Sequence, residues 1–89
     1  MRKEPTPQEV RELVIRLLEF YDVFLEQPAD LDETILISAG RYCARSYKAQ
    51  GYLAMWLIEV GIVQFYDEAG NMLRTVNLLE ELEPQRMAA

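Results

Sequence analysis

Residues 37–60 read ISAGRYCARSYKAQGYLAMWLIEV, and the fold turns on whether this stretch is helix or strand. Ala44, Tyr47, Ala49, Leu53, Trp56, Leu57 and Val60 fit a helix face. Tyr52 to Ile58 is also a short apolar run of the kind that forms a buried strand. Alanine, leucine and methionine dominate it, and β-branched residues are scarce before Ile58, so propensity favours helix. Gly40 interrupts, at about 1 kcal/mol if it lies inside a helix. It divides a short helix near 31–38, opened by Asp30 as cap and holding the apolar patch Ile35, Leu36 and Ile37, from a longer helix near 41–60. Gly51 poses the same difficulty later.

Upstream, Thr6 can cap a helix, Pro7 suits its first turn, and Glu9 sits three residues after Thr6. Val10, Leu13, Val14, Leu17, Tyr21, Phe24 and Leu25 then recur at helical spacing, which predicts a helix over about 7–26 ended by Pro28. Its apolar face is wide. Ile15, Leu18, Phe20 and Val23 fall outside the stripe one packing partner would cover, which marks Ile15, Leu18 and Val23 as a self-association face. Downstream, Gly61 punctuates and Ile62–Tyr66 reads as a strand. Residues 67–71 form a turn and Met72–Leu78 return, with Phe65 facing Leu73 and Gln64 facing Arg74 in the simplest register. Ile62, Tyr66, Met72 and Val76 would share one face, and Val63, Phe65 and Leu73 the other. One face must cover the helices; the other is left open or covered by a second subunit. The expected class is α+β: two to three helices, then a C-terminal β-hairpin, in one domain over 6–83 between an arm (1–5) and a tail (84–89).

The chain has 89 residues, is 51% apolar and 27% charged, and carries a net charge of −6. That apolar fraction excludes a disordered chain. The longest uncharged stretch, Ala49 to Ile58, is half of what a membrane span needs. Cys43 is the one cysteine, so no internal disulfide can form, and a cytoplasmic location is expected. The apolar context of Cys43 favours packing over reactivity.

The charge is segregated in blocks. Residues 19–37 hold six acids and no base, whereas 38–58 hold only Arg41, Arg45 and Lys48. On a helix these three would form one stripe flanked by Tyr42, Tyr47 and Tyr52. We therefore take Arg41, Arg45, Lys48 and Tyr52 as the contact surface for a protein partner with an acidic patch. The competing account is ordinary ion pairing with the acidic segments.

Chemistry finds little support. The chain has no histidine to serve as a base or metal ligand, and one thiolate cannot build a zinc site. Asp30, Asp32 and Glu33 lack the spacing of a calcium loop. The glycines make no phosphate-binding loop, and Trp56 reads as a core plug. We expect no enzyme activity, metal or cofactor. The expected function is that of a small interaction module, regulatory or scaffolding, that self-associates.

The element order from about 7 to 78 resembles a winged-helix domain. The resemblance implies a nucleic-acid regulator with the Arg41/Arg45/Lys48 helix in the major groove and 62–78 as the wing. Charge argues against it, since Asp67 and Glu68 outnumber Arg74 on that wing and nucleic-acid affinity rests on phosphate neutralisation.

Overall fold

The computed structural model describes residues 5–82: an N-terminal helix and a five-stranded antiparallel sheet in the order β1-β2-β3-β4-β5. Helix α1 spans Pro7–Phe20 and opens on a capping box, with Glu9 N–H donating to Thr6 Oγ1 (3.2 Å) and Thr6 N–H to Glu9 Oε1 (3.0 Å). It ends well before Pro28. Asp22 takes a left-handed backbone (φ 62°), and the N–H groups of Asp22 and Val23 donate to the carbonyls of Glu19 and Leu18. These bonds close the helix, and the buried pair Leu18 and Val23 seals the cap. Asp30 caps backwards, its carboxylate accepting from the N–H groups of Glu26 and Gln27, so it does not open a second long helix. A three-residue 3₁₀ turn, Pro28–Asp30, leads instead into strand β1.

The sheet consists of β1 (Asp32–Ser38), β2 (Arg41–Ala49), β3 (Tyr52–Leu57), β4 (Ile62–Tyr66) and β5 (Met72–Asn77). This corrects the expected class. The stretch read as two helices is three strands, and the hairpin is the end of a meander. With no helix over 41–60, the winged-helix element order is also absent. The turns between these strands lie at Gly40 and Gly51. Each is the second residue of a two-residue loop whose residues both have positive φ: Ala39 (52°) with Gly40 (76°), and Gln50 (50°) with Gly51 (88°). That is the tight turn whose twist matches a β-hairpin. At Gly51 a Cβ would also lie 2.7 Å from Glu68 Cγ.

Paired residues share a face, so the register assigns each side chain. The inner face carries the rows Ile35–Arg45–Trp56–Val63–Val76 and Glu33–Tyr47–Ala54–Phe65–Arg74, and beyond them Ala49–Tyr52. Helix α1 lies on this face through Val10, Leu13, Val14, Leu17 and Leu18. Residues 78–82 are helical and add the buried Leu78 and Leu82. Small Ala54 sits between Tyr47 and Phe65, and Tyr21 stacks on Phe65 with ring centroids 5.4 Å apart. Filling that space overrides the helical propensity of 52–58.

The last two strands lie where the sequence places them, but their register is shifted. A bulge between Phe65 and Tyr66 sets Phe65 opposite Arg74 and Gln64 opposite Thr75. It also places Val76 inside with Val63, and Met72 outside with Tyr66. The arm at 1–5 and tail at 84–89 lie outside the described residues, apart from Pro5.

Candidate interaction surface

The outer face of the sheet carries three rows: Leu36–Ala44–Leu57–Ile62–Asn77, Thr34–Ser46–Met55–Gln64–Thr75, and Asp32–Lys48–Leu53–Tyr66–Met72. A further pair, Ser38–Arg41, extends this face at the end of β1 and β2, so its charges are Asp32 and Lys48 at one corner and Arg41 at the next, all on the first two strands. No element among the described residues packs over it, since the core forms wholly on the helix side. Ala44 and Ser46 are buried because longer neighbours flank them, while Leu53, Met55, Leu57, Ile62 and Tyr66 are half-exposed. The overall thickness, 24 Å, is that of one sheet and one helix layer. Sequence reasoning had one signal for this face, the apolar residues on both sides of the 62–78 hairpin. It missed Leu53, Met55 and Leu57, whose alternation is hidden in a continuous apolar run.

The four residues taken as a basic contact surface are not brought together. A strand has period two, so Arg45 points to the helix side and Lys48 to the outer face. Arg41 pairs with Glu59 at 3.1 Å, both side chains largely exposed. Tyr52 is half-buried in a cluster of rings with Tyr21 and Phe65. Of the three residues taken as a self-association face, Leu18 and Val23 are buried in the chain's own core, and Ile15 packs against it.

Arg45 instead belongs to an ionic cluster across α1, β1 and β2. Glu33 Oε1 accepts from Arg11 Nη1 at 2.8 Å, and Glu33 Oε2 accepts from Arg45 Nη1. Beneath it lies Tyr47, 1% exposed, whose hydroxyl has no protein partner of ordinary hydrogen-bond geometry. Its pKa is pushed up from 10.0 to about 12, first by burial and then by the charge of Glu33, with Arg45 and Arg11 opposing. A raised phenol pKa favours the folded state fully below the unfolded value. Between about pH 10 and 12 the unfolded chain loses its proton first, so stability falls as pH rises, by up to about 2 kcal/mol. Urea midpoints from pH 9 to 11.5 should therefore drop more steeply in the native chain than in Tyr47→Phe; parallel curves would show that Tyr47 ionises freely.

Two further features carry chemical groups. A cleft of about 390 Å³ is lined by Pro5, Trp56, Ile58, Val60 and Leu79 among others, and the indole N–H of Trp56 is buried without a partner. Trp56 is otherwise a core residue, 5% exposed. Cys43 is not packed away as its neighbours suggested: it is exposed, with its thiol donating to the Arg41 carbonyl at 3.6 Å. Its position beyond the pairing of β2 with β3, which ends at Ala44 and Leu57, explains this. Among the described residues no group of three acidic or cysteine side chains could hold a metal ion, and no helix is long and apolar enough to cross a membrane. The chain matches no family model, no curated protein and no solved structure in comparisons with known proteins.

Proposed function

We propose that the protein is a small non-catalytic interaction module that docks a protein partner on the outer face of its sheet. The observation that carries this is the confinement of charge to the ends of β1 and β2, which leaves the β3–β5 part of that face uncharged in a chain of which 27% is charged. Depletion of charge at the centre of an apolar patch distinguishes interface cores from ordinary surface. Leu57, Ile62, Met55, Leu53 and Tyr66 supply a continuous apolar centre, with Gln64, Thr34 and Thr75 as polar groups to fix orientation. Arg41 and Arg45 already have carboxylate partners within the chain, so the contact surface is the sheet face in place of a basic stripe.

Met55 lies at the centre of the middle row and outside the core. Met55→Lys should leave the circular dichroism spectrum and thermal midpoint close to native while abolishing retention of the partner on immobilised protein. Arg41→Glu should retain it. An unchanged set of bound proteins with Met55→Lys would place the contact elsewhere.

A further inference from the structure

A second surface is independent of the sheet face. Strand β1 is an edge of the sheet, and every residue from Asp32 to Ser38 is exposed. Ile35 (42%), Leu36 (42%) and Ile37 (63%) stand in its middle with no charge and no proline among residues 34–38. Such an edge presents unpaired backbone N–H and C=O groups beside apolar side chains, and natural sheets blunt it with charges, prolines or bulges. The opposite edge is blunted in this way: β5 has Arg74 at its middle and a bulge against β4. The irregularity at the β1 end adds its extra residue, Cys43, on β2, leaving β1 itself regular.

The sequence of β1 names its occupant. Thr34-Ile35-Leu36-Ile37-Ser38 reads nearly the same in both directions about Leu36. We propose that two copies of this chain pair antiparallel along β1, with a two-fold axis at Leu36, to form a continuous ten-stranded sheet. A two-fold axis normal to the sheet keeps helix side with helix side, so opposed residues share a face and the axis must pass through a residue. At Leu36 it sets Ile35 against Ile37, Thr34 against Ser38, and Leu36 against itself. Moved to Ile35, it would set the charge of Glu33 against Ile37. The Leu36 axis also separates the acidic ends: Asp32 and Glu33 of one copy lie beside the other copy's Ala39–Gly40 turn, next to the exposed Arg41. Both helices then lie on one side of the sheet, and the two outer faces become one surface.

Sedimentation of the full chain should give two chains per particle, and Ile35→Lys/Ile37→Lys should give one, with an unchanged circular dichroism spectrum because both side chains are exposed. Register is read by oxidation in a Cys43→Ser background. Leu36→Cys should cross-link quantitatively, since residues opposed across an antiparallel pair lie about 4.5–5.5 Å apart at Cα, within disulfide range. Thr34→Cys should not, because its symmetry mate lies four residues away, about 13 Å. A monomer at every concentration, a dimer indifferent to the lysines, or equal cross-linking at Thr34→Cys would each overturn the proposal. None of these results depends on whether Met55→Lys releases the partner.

Discussion

Phe65→Ala is expected to cost about 3–5 kcal/mol, the range for deleting a fully buried aromatic ring. Phe65 is 0% exposed and lies where Tyr21 from the end of α1, Tyr52 of β3 and the inner face of β4 meet, with centroids 5.4 Å and 6.0 Å away. Its backbone pairs with Ala54, which has no bulk to fill a void. At roughly 0.05–0.15 kcal/mol per residue, a domain this size has a total stability of about 4–13 kcal/mol, so the variant should lose between about a quarter and all of it. Urea denaturation gives the number. Phe20→Ala is the control, because that ring is 70% exposed and its described contacts are Tyr21 at 5.1 Å and the Arg74 guanidinium at 5.6 Å. It should cost under about 1 kcal/mol. If Phe65→Ala cost no more than Phe20→Ala, the ring cluster would not be the centre of the core.

Glu33→Gln should be the most damaging change of a single charge. It removes the carboxylate that Arg11 and Arg45 share and puts a neutral amide between their guanidinium groups. The three side chains are 25%, 21% and 18% exposed, between surface and interior. Exposed pairs contribute about 0–1 kcal/mol, and breaking a buried pair costs about 3–5. About 2 kcal/mol is therefore expected for Glu33→Gln, read as a shift in urea midpoint. Arg41→Gln breaks the bridge to Glu59, where the side chains are 77% and 69% exposed, and should cost no more than a few tenths of a kcal/mol. A double-mutant cycle on Glu33 and Arg45 should recover part of the Glu33→Gln loss, because removing one guanidinium relieves the other. A Glu33→Gln midpoint equal to that of Arg41→Gln would show that the cluster is solvated.

The same ion pairs explain why a stripe of bases on one helix face is not what the charge blocks form. The acids of 19–37 and the bases of 38–58 are complementary, and Arg45 does meet Glu33, but as an intrachain bond between neighbouring strands. Arg41 and Lys48 answer to different neighbours, because strand geometry fans out what a helix would have aligned. The helix face is narrower than the spacing to Leu25 suggests, because α1 ends at Phe20 and Val23 lies beyond it. Folded back by the left-handed Asp22, Val23 covers Leu18 and needs no second chain.

Legible in the residues alone were the features set by local chemistry: the capping box at Thr6, the amphipathic run to Leu18, the strands 62–66 and 72–77, and the turn between them, where Asp67 accepts from the N–H groups of Ala69 and Asn71. The glycines at 40, 51, 61 and 70 were legible too. Their regular spacing is a hairpin signal when read as a set, and misleads when each is weighed as a flaw in a helix. The state of residues 32–57 was decided only in three dimensions. Ala44, Ala49, Ala54 and Met55 are good helix formers, and nothing local forbids a helix there. They become strand because Tyr47, Trp56 and Phe65 can share one buried face with α1 only at a period of two. The outer face, open among the described residues, and the bare edge of β1 follow from that same choice. Helix α1 and the short helical segment 78–82 cover one side of a five-stranded sheet, and a meander leaves its first strand paired along one edge only.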